Sequence, residues 1–328
     1  VNGFDITGWG MSVPERVLTS VELAERFGVD EEWILSRCGI RERRVVGPGQ
    51  TTASLAVQAG RRALDRAGLT GADIAHLIVA TATPEQLSPA TSAFVHHELG
   101  IAGSALDVNA ECSGFVYGLV HAAALINIDP RPILLIGSDT HTLTVNPRDR
   151  DLSILVGDGG GAVVLQPSPE NWIMAWNLGA DGSRTDSLKV QAGGSRMPTT
   201  AETVDQGLHY AEIKGNEIYL NAVRFTVRSV KATLEQAKVE PDQIDHIVPH
   251  QANIRIINSI LDHTGLAPQR LVTNLDRYGN TASASMPIAL CEALDEGRID
   301  GGDLVLLAGF GAGMTWGSVL LQWGGVRT

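Results

Sequence analysis

Three residues of this 328-residue chain sit where side-chain chemistry is possible: Cys112, His250 and Asn280. Cys112 lies in Asp107-Val-Asn-Ala-Glu-Cys-Ser-Gly-Phe115, where a strand-like stretch (Ala105 to Val108) turns into an apolar helical run ending near Asn127. A thiol at the positive end of a helix is expected to have a lowered pKa and to supply a thiolate near neutral pH. His250, in Val248-Pro-His-Gln-Ala-Asn-Ile-Arg255, falls at a strand end before a helix striped with Ile256, Ile257, Ile260 and Leu261. Positive backbone dipoles there disfavour imidazolium, so a neutral ring able to donate or accept one proton is expected. Asn280 follows a glycine on the polar loop Asp276-Arg-Tyr-Gly-Asn-Thr-Ala-Ser-Ala-Ser285, again at a helix entry. Taken alone it reads as a turn residue. Cys38 and Cys291 read as buried structural cysteines.

The elements that must position these residues repeat. Ala63 to Val79 matches Thr233 to Pro249 at a constant offset, with Leu64 on Leu234, Ala67 on Ala237, Ile74 on Ile244 and His76 on His246. Ile133–Ser138 likewise matches Leu304–Gly309, and Gly161–Gln166 matches Gly317–Gln322. Matches in the same order point to a duplication, joined near Gln166–Asn171. The expected halves are therefore 1–170, carrying the nucleophile, and 171–328, carrying the histidine and asparagine. Amphipathic helices alternate with short apolar strands in each copy, which predicts mixed helix and sheet layers. Thr19 and Glu22 form a capping-box pattern, and Asp30 is placed to cap the helix that follows. The run Cys112 to Asn127 is apolar nearly all round and is expected to be buried between layers, with Ser283 to Glu296 as its counterpart.

Composition narrows the function. A net charge of −12 with 44% hydrophobic residues argues against the basic surface that nucleic-acid binding needs. Three scattered cysteines make neither a disulfide framework nor a zinc-ligand pair, so a reducing cytoplasm is expected. No charged segment followed by an apolar one opens the chain, and no stretch approaches 18 uninterrupted apolar residues, so neither export nor a membrane span is expected. The glycines of Gly157–Gly161 and Gly309–Gly317 lack the following helix that a dinucleotide fingerprint requires. Turns with exposed amides remain, and oxyanion holes are built from those.

The chain resembles the thiolase superfamily and, within it, the β-ketoacyl carrier-protein synthase III family. The likeness runs nearly end to end, through Asp30-Glu-Glu-Trp-Ile, Gly39-Ile-Arg-Glu-Arg43, the Cys112 elbow, Gly137-Ser-Asp139, Gly157-Asp-Gly159, Pro249-His-Gln-Ala-Asn253, Gly279-Asn-Thr281 and the terminal Gly-x-Gly-x-x-Trp-Gly segment. It implies a five-layer α-β-α-β-α fold of two similar halves and a homodimer. It also implies that Cys112 is acylated by an acyl-coenzyme A, after which His250 and Asn280 bind the thioester carbonyl of malonyl-carrier protein during decarboxylation. The backbone amides of Cys112 and Ala312 would form the first oxyanion hole. Trp33, Arg37 and Arg150 would hold the adenine, Tyr219 and Asn253 would line the pantetheine tunnel, and Arg255 would be the nearer cation for carrier docking.

Two departures stand out. Asp262-His263 replaces lysines common on the helix after His-Gln-Ala-Asn, and Glu111 precedes the nucleophile where a small residue is usual. The expected reaction is a decarboxylating condensation that starts fatty-acid or polyketide synthesis, with coenzyme A thioester as substrate and no cofactor or metal. The alternative is an acyltransferase that moves the acyl group to a hydroxyl or carrier without carbon–carbon bond formation.

Overall fold

The structure is a computed structural model and describes residues 3–169 and 173–324. One sheet is built in the order Gly3–Ser12, Asp158–Ser168, Ile133–Thr140, His76–Ala80, Ser104–Val108. The other runs Ile173–Ala180, Thr315–Gln322, Leu304–Gly311, His246–Pro249. From the first-named strand, both sheets pair antiparallel, antiparallel, then parallel. Ser104–Val108 extends the first sheet in parallel, whereas among the described residues the second has at that place only an isolated bridge between Ile247 and Leu271.

The duplication also survives in side chains. His76 opens one strand 3.2 Å from Asp129, and His246 opens the corresponding strand 3.1 Å from Asp303. The join at Gln166–Asn171 is described as far as the strand end at Ser168 and the bend after it; Glu170 and Asn171 lie outside the described residues.

Five layers result. Thr52–Ala67 and Thr91–Leu99 cover the outer face of the first sheet, where Ala59, Ala63 and Val95 meet Leu77, Val79 and Leu134. Gly215–Ala237 and Ile254–Thr264 cover the second, through Val230, Leu234, Ile257 and Leu261. Between the sheets lie Gly114–Ile128 and Ser285–Asp295, slightly shorter than the runs expected from sequence. Phe115, Leu119 and Ile126 bury against Ile78, Leu135 and Val163 of one sheet and belong to the same cluster as Val305, Leu307 and Val319 of the other. Each such side chain contributes about 1.5–3 kcal/mol.

The first central helix is not buried all round. His121, Ala124 and Ile128 form an exposed stripe at helical spacing, with Ile128 82% exposed, because sheets on opposite sides leave a lateral face open. By length and composition Glu111–Ile128 is apolar enough to cross a membrane, at mean hydropathy 1.3, yet its Phe115 side is core. Near the N-terminus the Thr19–Glu22 capping box forms as expected. Asp30 stands at the predicted cap position, but its side chain makes no capping bond.

Candidate active site

The strand Ser104–Val108 does not run directly into the central helix. Glu111 turns the chain sharply at φ +52°, Glu111–Ser113 form a 3₁₀ turn, and the helix starts at Gly114. A glutamate at positive φ persists only where its surroundings over-determine it. Here the Ser113 and Thr315 hydroxyls both reach the Ala110 carbonyl at 2.8 Å and each other at 2.9 Å. Thr315 belongs to the second sheet, so the elbow is fixed from across the molecule.

Gly311, on the same hairpin, comes so close that an added Cβ would lie 2.8 Å from the Cys112 amide nitrogen and 2.8 Å from the Ala110 carbonyl. Ala312 follows it. The Cys112 and Ala312 amides are spent on no backbone carbonyl of the described residues, as a pair of oxyanion donors requires.

His250 directly follows the strand His246–Pro249, is 3% exposed, and stands edge-on to Phe310 at 5.4 Å. Its Nδ1 is 2.7 Å from the Ser285 hydroxyl, which also accepts from the Gln251 amide at 3.3 Å. A hydroxyl can donate to Nδ1 or accept from it, so Nε2 can be either the donor or the acceptor toward the cavity. Gln251 secures the loop by donating to the Pro249 carbonyl at 2.7 Å and accepting from Thr273 at 2.7 Å.

Asn280 is held by its own backbone and by half of its amide. Its N–H donates to the Leu155 carbonyl, its C=O accepts from Gly157, and its Oδ1 accepts from the Ala282 amide at 2.9 Å. With the oxygen committed, Nδ2 is the group left to face the cavity. The preceding Gly279 has φ +66° and ψ −160°, a region open essentially to glycine alone, and a Cβ there would sit 2.9 Å from the Leu155 carbonyl.

All ten residues singled out in the sequence line one cavity of about 410 Å³: Cys112, His250, Asn280, Ala312, Trp33, Arg37, Arg150, Tyr219, Asn253 and Arg255. At its mouth the Arg37 and Arg150 guanidinium groups lie 3.8 and 4.5 Å from the Trp33 ring centre, a cation–π cluster suited to a planar, anion-bearing group. The Tyr219 hydroxyl bonds Ser259 at 2.7 Å, and Arg255 lies over the Tyr219 ring at 5.6 Å. Asn253 is occupied as a helix cap: its Oδ1 accepts from the Arg255 amide at 2.8 Å and its Nδ2 donates to the Arg37 carbonyl at 2.9 Å. A smaller cavity of about 120 Å³ adjoins at Cys112, Asn280 and Ala312, and is lined mainly by Val145, Leu152, Leu155, Val156, Val190 and Ile213.

One expectation is overturned. Burial pushes the Cys112 thiol well above its ordinary range, and the Glu111 and Asp139 carboxylates push the same way. Desolvation and two like charges outweigh the helix terminus, whose first turn begins two residues later. The resting pair is therefore a neutral thiol and a neutral imidazole. Burial holds His250 down to about 3, with His141 adding to the effect, so the ring is neutral as expected but for a different main reason.

Burial lifts Glu111 to about 6, His141 offsetting part of the rise and Asp139 adding to it. The folded value exceeds the ordinary 4.5, so its stabilising contribution is full below that pH and is lost as pH rises through about 6. At pH 8 the ionised carboxylate costs about 1–2 kcal/mol. Glu111→Gln is accordingly expected to raise Tm by calorimetry at pH 8 and to give no comparable gain at pH 4; equal shifts at both would contradict this account.

Sequence reasoning missed the group that ties the site together. Asp139, fully buried, accepts from Thr81, Ala82 and Thr83 at 2.8–3.0 Å in the first half. It also accepts from the Ser283 amide at 2.9 Å and the Ser283 hydroxyl in the second. Its presence in Gly137-Ser-Asp139 was the available signal. Ser285 closes the same sequence segment as Asn280, but only the fold brings it to His250.

An α-β-α-β-α molecule with a cysteine elbow facing a histidine and an asparagine defines an acyl-transferring enzyme of the thiolase type. Residues 106–182 match the model of 3-oxoacyl-[acyl-carrier-protein] synthase III, and residues 234–323 match its C-terminal model. The chain is 46% identical over 321 residues to the β-ketoacyl-[acyl-carrier-protein] synthase III of Roseiflexus sp. (strain RS-1), covering 97% of this chain and 98% of that one. It is also 46% identical over 322 residues to the enzyme of the same name from Symbiobacterium thermophilum, with the same coverage. Among solved structures, 3-oxoacyl-[acyl-carrier-protein] synthase III from Aquifex aeolicus VF5 superposes with TM-score 0.90 at 36% identity, over 98% of this chain and 100% of that one. The priming β-ketosynthase of the R1128 polyketide pathway superposes with TM-score 0.90 at 31% identity, over 98% and 97%. The chain belongs to the β-ketoacyl-[acyl-carrier-protein] synthase III family.

Proposed function

We propose that this enzyme condenses an acyl group from acyl-coenzyme A with malonyl-acyl carrier protein, starting fatty-acid synthesis, and that Cys112, His250 and Asn280 carry the reaction. The observation that carries the assignment is their convergence, with the Ala312 backbone, on one buried cavity. In the first half-reaction the Cys112 sulfur attacks the thioester carbonyl, whose oxygen is held by the Cys112 and Ala312 amides. The thiol proton leaves with the coenzyme A sulfur. Because the resting thiol is neutral, its proton must move as the sulfur attacks, and the neutral His250 ring lining the same cavity is the group able to relay it.

In the second half-reaction the malonyl thioester loses carbon dioxide, and its enolate oxygen takes hydrogen bonds from His250 Nε2 and Asn280 Nδ2. The enolate carbon attacks the acyl-cysteine carbonyl, a carbon–carbon bond forms, and the Cys112 sulfur leaves and is reprotonated. Trp33, Arg37 and Arg150 bind the nucleotide end of coenzyme A, and Tyr219 and Asn253 line the pantetheine path. The exposed Arg255 at the cavity mouth contacts the acidic carrier.

Labelled malonyl-carrier protein mixed with enzyme already acylated at Cys112 tests the reading. Labelled carbon dioxide is expected in step with a β-ketoacyl product. Acyl transfer to a hydroxyl acceptor with no carbon dioxide would replace condensation by simple acyl transfer.

The working unit is a homodimer. Ser104–Val108 is a sheet edge with Ser104, Ala105 and Leu106 exposed, an arrangement that invites strand pairing with a second copy. Leu87, on the loop Glu85–Pro89, is 85% exposed nearby in sequence to the first-sheet strands. Light scattering is expected to give twice the chain mass, and a Leu106→Lys variant to dissociate; a monomeric wild type would refute the dimer.

A further inference from the structure

The smaller cavity beside Cys112 is not uniformly apolar. We propose that it takes a short acyl group bearing a hydroxyl, held between the Glu111 carboxylate and the His141 ring. The inference rests on the reading of Cys112 as the acylated nucleophile. At about 120 Å³ the cavity is smaller than the roughly 150 Å³ cavity that holds benzene, which limits the acyl group to a few carbons.

Val145, Leu152 and Val156 suit a plain alkyl chain. Glu111 and His141 do not. His141 Nε2 is buried without a hydrogen-bond partner. The Glu111 carboxylate takes no hydrogen bond from the described residues; its backbone is engaged, the amide donating to Asn109 Oδ1 at 3.1 Å and the carbonyl accepting from the Gly114 amide. Both groups stand on short-range rigid features, the 3₁₀ turn Glu111–Ser113 and the 3₁₀ turn His141–Leu143 that ends the strand Ile133–Thr140.

An alkyl chain would remove the remaining water and leave both groups unpaired, weakening binding by about tenfold or more for each. A hydroxyl resolves this in one atom, since it donates to the carboxylate while accepting from, or sharing a proton with, the ring nitrogen. A carboxyl-bearing acyl group would meet the Glu111 carboxylate as a like charge, and the lining's Lys189 is already paired with Asp186 at 2.8 Å. An ammonium would have to be stripped of water in a cavity lined mostly by apolar side chains. The neutral hydroxyl avoids both costs.

Competition read by intact-protein mass spectrometry tests this. Wild-type enzyme is offered equimolar butyryl-coenzyme A and a hydroxybutyryl-coenzyme A with its hydroxyl at C2, C3 or C4, in separate mixtures; the adducts differ by one oxygen. At least one hydroxyacyl adduct is expected to exceed butyryl by about tenfold or more. Glu111→Ala is expected to bring the ratio near parity and to speed butyryl loading. His141→Leu serves the same purpose should the first variant fail to fold. A butyryl adduct that equals or exceeds every hydroxyacyl adduct overturns the inference while leaving the nucleophile intact, and so does a dominant adduct from 3-aminobutyryl-coenzyme A. No adduct from any donor overturns the Cys112 reading and this inference with it.

Discussion

Cys112→Ser is expected to yield no acyl-enzyme when incubated with acyl-coenzyme A, a loss of at least about a thousandfold in loading. The raised pKa of the native thiol strengthens the expectation. A thiol gives up its proton during attack far more readily than an alcohol, and this buried site offers no strong base: His250 is held at about 3. A serine there would keep the amides of the oxyanion hole and lose the sulfur they serve. Intact mass measured after a timed exposure decides the point, and an adduct on the variant equal to that on wild type would sink the assignment.

The second large effect separates the two half-reactions. His250→Ala and Asn280→Ala are each expected to lower condensation by about 10²–10³, the usual effect of removing one oxyanion donor, while Asn280→Ala retains acyl loading and His250→Ala keeps some of it, slowed by loss of the proton relay. The two are not expected to be additive, because both hold the same oxygen. Burial fixes the pH behaviour as well. A ring held near 3 rather than 6.5 stays neutral across the physiological range, so the condensation rate of the wild type should show no acid limb near pH 6.5 due to His250. Near wild-type condensation by both variants would remove the pair from the site.

Much of this was legible in the chain. The periodicity of Ala63–Val79 and Thr233–Pro249 carries the duplication because each copy must bury the same helix end, turn and strand, and the His76 and His246 matches survive as equivalent strand starts. Cys112 and His250 stood out from local context, each at a junction of strand and helix, whereas Asn280 alone read as a turn residue and drew its expected role from the family resemblance. The direction of the Cys112 shift was not, because it depends first on the burial of Cys112 itself and then on the Glu111 and Asp139 carboxylates beside it, both set by the tertiary fold. The capping role of Asn253 was available in principle from its place before Ile254–Thr264. The partnership of Asp139 with Ser283 was not, since nothing local links residues so far apart.

That partnership has a thermal consequence. Cys112, the proposed nucleophile, hangs from one half and the proposed donors His250 and Asn280 from the other, and Asp139 is a knot tied across the seam. Each sheet is cemented by its own outer helices, so a slight parting of the halves leaves circular dichroism almost unaltered while the reacting groups drift out of reach. Catalysis on warming should therefore fade several degrees before the sheets melt, and the enzyme's own turnover is the more sensitive thermometer of that seam.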